Sequence, residues 1–167
     1  PLTYYAEINR LKIRLVGPSE PQPLRQLIAQ RTFELENLAD THEIGGLRLE
    51  AHPVEHPVPA YALKLTNEEG KVLVYTGDAV GGEGLADFCR GADLLVCDAA
   101  FTRAQWQPGL PHFSAAQAGE LAREAGAKRL LITHFIPGAD VKALLREARE
   151  AFPGTLAASL GLVVEME

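Results

Sequence analysis

The residues able to do chemistry in this chain are five histidines and a few isolated aspartates, and their placement is more telling than their number. Asp78 closes the stretch KVLVYTGD, where an alternating apolar run leads into a glycine and a carboxylate. His56 stands between Glu55 and Pro57, Asp98 follows LLVC, and His134 follows LLIT. Each of these four groups falls where a strand is expected to end. Open α/β sheets build their sites outside the carboxyl ends of strands, so the placement predicts convergence. Imidazoles with carboxylates form the ligand set of divalent zinc, manganese or iron. A carboxylate has two oxygens, so Asp78 can face two cations about 3.5–4 Å apart, and Gly77 lets the backbone come close. Taken singly, each residue also has an ordinary structural role open to it, as a cap or a loop hydrogen bond.

His112 lies in LPHFSAAQAGELAREAG, two residues before the expected helix cap Ser114. A helix N-terminus favours anions, so this imidazole could meet a phosphate or protonate a leaving oxygen. It could equally shield the cap, and spacing leaves both readings open. His42 falls in a polar stretch and is expected to be solvated; His52, beside Pro53, is expected to pack rather than to bind. The glycine-rich GDAVGGEG fits neither a Walker loop nor a dinucleotide fingerprint. No Gly-x-Ser-x-Gly elbow occurs, which disfavours a serine hydrolase.

The elements that must position these groups follow from periodicity. Strands are expected over 11–16, 32–38, 47–51, 60–65, 71–75, 93–97 and 129–133, with terminal strands over 155–159 and 162–166. Helices are expected over 23–31, 85–90, 114–125 and 141–152, the third capped by Ser114 and stopped by Gly126. Asn67 to Gly70 makes a hairpin loop of ordinary length. The order is mostly β at first and alternating α and β later, an α/β unit spanning 1–167 as a single domain.

Composition narrows the class. The chain has 167 residues, 47% hydrophobic and 23% charged, with a net charge of −6. That acidic balance disfavours an extended nucleic-acid partner. Cys89 and Cys97 have no metal-type spacing and are expected to be small buried hydrophobes, as suits a reducing compartment. No apolar run approaches the roughly 18 residues of a membrane span, so no membrane partner and a cytoplasmic location are expected.

The ordered set of motifs resembles the metallo-β-lactamase fold hydrolases, in particular the ribonuclease Z-like branch and its small phosphodiesterase relatives. VEHPVPAYALKL resembles a motif whose histidine binds metal, which places that role on His56. VYTGDA resembles the motif whose aspartate bridges two metals, here Asp78. LLVCDAAF is similar to a segment that usually carries Glu-Ala-Thr; Asp98 departs from it and is expected to support the ligands from behind. PHFSAAQAGELAREAGAKRLLITHF resembles the region of a substrate-contacting histidine, here His112, followed by a helix and a metal-binding histidine, here His134. The match runs from about Leu11 onward.

The resemblance implies an αββα sandwich, a mixed sheet with flanking helices, of which this chain would be the C-terminal portion. It implies two divalent metal ions, zinc foremost with manganese or iron as alternatives, and a bridging hydroxide that attacks phosphorus or a carbonyl carbon. The catalytic roles would fall on Asp78 and His112, and the metal roles on His56, Asp78 and His134. The family's His-x-His-x-Asp-His motif does not occur in these residues. The chain is therefore expected to be incomplete and inactive alone, partnered by a missing N-terminal half, a complementing chain or a homo-oligomer. Only 21 residues separate His56 from Asp78, leaving no room there for the long arm with which transfer-RNA processing members grip RNA. A small phosphodiester or ester is the expected substrate. The rival expectation is a non-catalytic binding or assembly module that keeps the fold without a complete site.

Overall fold

The structure, a computed structural model, describes residues 8–28, 33–39 and 41–166. It divides into two compact units, Pro1–His42 and Glu43–Glu167.

In the first unit, β1 (Ile13–Gly17) and β2 (Phe33–Asn37) pair in parallel, with Ile13 opposite Phe33. Helix α1 (Gln22–Ile28) lies between them in the chain. The expected helix end at Arg31 and strand start at Thr32 fall outside the described residues. The Arg14 guanidinium bonds Glu36 Oε2 at 2.8 Å and holds that carboxyl below its ordinary pKa. His42 is not solvated, as its polar neighbours suggested, but is only 5% exposed. Its ring nitrogens lie 3.0 Å from Glu36 Oε2 and 2.7 Å from the Asn37 carbonyl, and these two partners offset the cost of burying it.

The second unit is organised on a seven-stranded sheet in the order β3-β4-β5-β6-β7-β8-β9. Its strands are β3 (His42–Ile44), β4 (Leu47–Val54), β5 (Ala60–Asn67), β6 (Val72–Tyr75), β7 (Leu94–Asp98), β8 (Leu130–Thr133) and β9 (Leu156–Ala157). The sheet is mixed: β4-β5-β6 is antiparallel, and β6-β7-β8-β9 is parallel. The β5–β6 turn is fastened by Asn67, whose Oδ1 accepts from the amides of Glu69 and Lys71 at 3.1 and 2.8 Å. Each parallel step needs a crossover, which α2 (Leu85–Phe88), α3 (Ala115–Glu124) and α4 (Val141–Ala151) provide. The result is an α/β fold, a mixed sheet flanked by helices, of the αββα metallo-β-lactamase type.

The apolar runs do what their composition demands. Leu95, Cys97, Leu130 and Ile132 are fully buried, as strands covered on both faces must be. Both cysteines are buried free thiols, and burial pushes Cys89 up to about 12. Helix α3 starts at the expected Ser114 cap, and the structure adds a reciprocal capping box with Gln117. It packs closely on α4: a Cβ at Gly119 would lie 2.5 Å from the Ala148 carbonyl oxygen, so no larger residue fits there. Asp93 bonds Lys128 Nζ at 2.7 Å and the Val72 amide at 2.8 Å, and both hold its carboxyl below the ordinary range.

The chain's end differs from expectation. The strand expected over 155–159 shrinks to Leu156–Ala157, and 162–166 has no regular structure. Leu162 and Val163 are 43% and 80% exposed, because alternation makes a strand only where a neighbour completes the ladder. Among the described residues no helix is long and apolar enough to cross a membrane.

Candidate metal centre

Strand direction brings the polar groups together. Strands β4 and β6 are both antiparallel to β5, so they run the same way, and β7 and β8 are parallel to β6. The carboxyl ends of β4, β6, β7 and β8 therefore share one edge of the sheet. His56, Asp78, Asp98 and His134 stand at or just beyond those four ends. The loop before α3 delivers His112 to the same edge.

The resulting cluster is tight. One donor atom each from His56, Asp78 and His112 lie within 4.8 Å of one another, and so do donors from Asp98, His112 and His134. His134 Nδ1 is 3.4 Å from Asp78 Oδ1, and His112 Nδ1 is 2.6 Å from Asp98 Oδ2. The rings of His112 and His134 are centred 4.6 Å apart, and those of His56 and His112 5.5 Å apart. His134 takes up a left-handed backbone, φ 61°, which is uncommon outside glycine. Sequence had named three ligands with His112 and Asp98 apart from them; the geometry puts all five groups in one constellation, with His112 common to both clusters.

Asp98 is the buried member, with no exposed surface. Its Oδ2 accepts from the Ala79 amide at 3.1 Å as well as facing His112. Burial raises its carboxyl above the ordinary pKa, against the opposing pull of the His112 and Ala79 hydrogen bonds. The main-chain amide of Asp98 donates to Thr76 Oγ1 at 3.1 Å, which ties β7 to the segment carrying Asp78. Thr76 was not singled out from sequence, although its place beside Gly77-Asp78 was the available signal. His52 does pack: its ring stacks on Phe88 at 5.0 Å, and Nε2 lies 2.8 Å from the Glu83 carbonyl oxygen.

Gly77 is required by geometry. Its φ is +65°, and a Cβ there would lie 2.7 Å from the Tyr61 carbonyl oxygen. Gly77→Ala is expected to destabilise the fold by about 1–2 kcal/mol from the left-handed backbone alone, with the contact added. It should also weaken metal binding by moving Asp78. Urea unfolding and a metal titration check this; wild-type values in both would contradict it.

Two buried polar atoms in the constellation have no hydrogen-bond partner, His56 Nδ1 and Asp98 Oδ1. Buried polar atoms are seldom left so, and for His56 a ligand awaiting an ion is one of the standing reasons. The donor set, imidazole nitrogen and carboxylate oxygen without thiolate, suits a divalent cation of the zinc, manganese or iron kind. The residues present fit such ions.

The beta-lactamase superfamily domain matches residues 13–135. The chain belongs to this family. An uncharacterized protein of Mycobacterium leprae is 34% identical over 111 residues, covering 66% of this chain and 39% of its own length. The probable metallo-hydrolase YhfI of Bacillus subtilis is 38% identical over 99 residues, covering 59% of this chain and 40% of its own. The YhfI crystal structure superposes with a TM-score of 0.85 at 25% identity, over 97% of this chain and 68% of that one. Ribonuclease Z of Archaeoglobus fulgidus is 37% identical over 93 residues, covering 53% of this chain and 30% of its own. This superfamily domain thus spans well under half the length of these curated relatives.

Proposed function

We propose that this superfamily domain supplies part of the active site of a metal-dependent phosphodiesterase. The observation that carries the reading is the constellation itself: five imidazole and carboxylate groups from four strand ends and one loop, with two buried donors unsatisfied. His56, Asp78 and His134 would hold two divalent cations, zinc foremost, with Asp78 as their shared ligand. Three residues, even with Asp78 counted for both ions, fall short of the roughly four ligands that each ion takes, so further donors would complete the shells. Such ions lower the pKa of water towards 7 and stabilise charge on phosphoryl oxygens.

The chain's own residues do the rest. A nitrogen 2.6 Å from a carboxylate carries the proton, so His112 Nδ1–H donates to Asp98 and Nε2 is left for the substrate. Asp98 keeps the ring in that tautomer and orientation. A doubly protonated His112 then gives its Nε2 proton to the leaving oxygen as the ester bond breaks. Fully buried, Asp98 acts only through His112.

Similarity to ribonuclease Z supports phosphodiester chemistry. The segment between His56 and Asp78 is taken up by the β5–β6 hairpin, and the chain is acidic, which favours a small phosphodiester over a folded RNA. Elemental analysis and hydrolysis of bis(p-nitrophenyl) phosphate by the full-length protein test the reading. About two metal equivalents and an activity abolished by chelation are expected. A metal-free protein, or a metal-loaded one that leaves the phosphodiester intact, would overturn it.

A further inference from the structure

The loop between β7 and α3 closes on itself. Phe101 bridges to Ser114, the Ala100 amide donates to the Phe113 carbonyl at 3.0 Å, and the Ala115 amide donates to the Phe101 carbonyl at 2.8 Å. Residues 102–113 are thus a compact excursion with joined ends, a loop form that often carries function. Its start is fastened to α4: the Arg103 amide donates to Glu147 Oε2 at 2.6 Å. A turn at Thr102 is held by Gln105, whose Oε1 accepts from both the amide and the hydroxyl of Thr102 at 3.0 Å.

His112 rides on the returning limb of this loop. Its ring is held at Nδ1 by Asp98, but a ring keeps its place only as well as the backbone beneath it. That backbone is tied by Trp106, the single tryptophan of these residues, whose indole Nε1–H donates to the His112 carbonyl at 3.0 Å. The tie is backed from the other direction, since the Trp106 amide donates to the Thr102 carbonyl at 2.9 Å. The half-buried indole thus links the anchored start of the loop to the residue that faces the centre.

We propose that Trp106 is a positioning residue for His112, its indole N–H holding the main chain on which the imidazole is carried. The inference rests on the proton-donor reading of His112. Losing the bond lets His112 drift from its line to Asp98 and the substrate, while the ends of β4, β6 and β8 and their ligands stay put. A misplacement of about 1 Å in such a group can cost on the order of a hundredfold in rate.

The test compares three variants of the full-length, metal-loaded protein. Trp106→Phe keeps an aromatic ring and removes the donor. Trp106→benzothienylalanine replaces the N–H by sulfur in a ring of nearly the same shape, and so serves even where the phenylalanine variant folds poorly. His112→Ala controls for the underlying reading. Both Trp106 variants are expected to lower kcat by about 10- to 100-fold, with KM and metal content close to wild type. Wild-type kcat in the benzothienyl variant would overturn the inference, because the ring's bulk and not its hydrogen bond would then matter. A parallel fall in metal content would overturn it too, by marking the effect as general loosening. Undiminished kcat in His112→Ala would instead sink the proton-donor reading, and this inference with it.

Discussion

Replacing Asp78 with alanine is expected to empty the metal centre and to lower turnover of the full-length protein by about a thousandfold or more. The magnitude follows from chemistry: cations stabilise a developing phosphoryl charge by several kcal/mol, and about 4 kcal/mol is a thousandfold in rate. In the proposed site Asp78 sits where its loss would be felt by both cations. Its Oδ1 is 3.4 Å from His134 Nδ1, and its donors also close the cluster with His56 and His112. Asp78→Asn keeps the shape and one oxygen but removes the charge, so it should retain some metal and fall between the two. Elemental analysis beside steady-state kinetics decides the matter. Wild-type metal stoichiometry in the alanine variant would refute the assignment.

The second large effect is expected at a residue that touches no substrate. Asp98→Asn should lower kcat by about 10²- to 10⁴-fold, the range that a positioned proton donor contributes, with KM little changed. The amide fills the same buried space, so packing is kept. What is lost is the carboxylate charge facing His112 across 2.6 Å, while the amide oxygen still accepts from Ala79. Because Asp98 acts through His112, the two should not be independent. The double variant Asp98→Asn/His112→Ala is expected to be about as slow as the slower single variant. Additive losses in the measured kcat values would show that Asp98 works through some other group.

Parts of this fold were legible in the residues because they depend on near neighbours. The continuous apolar run before Asp98 marked a strand covered on both faces, and Ser114 marked a helix start, since a cap is made within one turn. Terminal alternation misled over 162–166, because a strand needs a partner that no local pattern supplies. His42 misled for the same reason. Its polar neighbours suggested solvent, whereas Glu36 and the Asn37 carbonyl bury it. Trp106 gave no signal of its own, since it matters only through a hydrogen bond to the main chain of His112.

By itself the sequence determined which donor types this protein has and that they stand where strands stop, because strand ends are written in local apolar runs and turn residues. The tertiary structure alone decided that four of those ends share an edge, that His112 meets Asp98 and that His134 meets Asp78. Those pairings depend on the direction and register of strands lying far apart in the chain. Backbone hydrogen bonding and core packing set both, and neither can be read at the donor residues themselves.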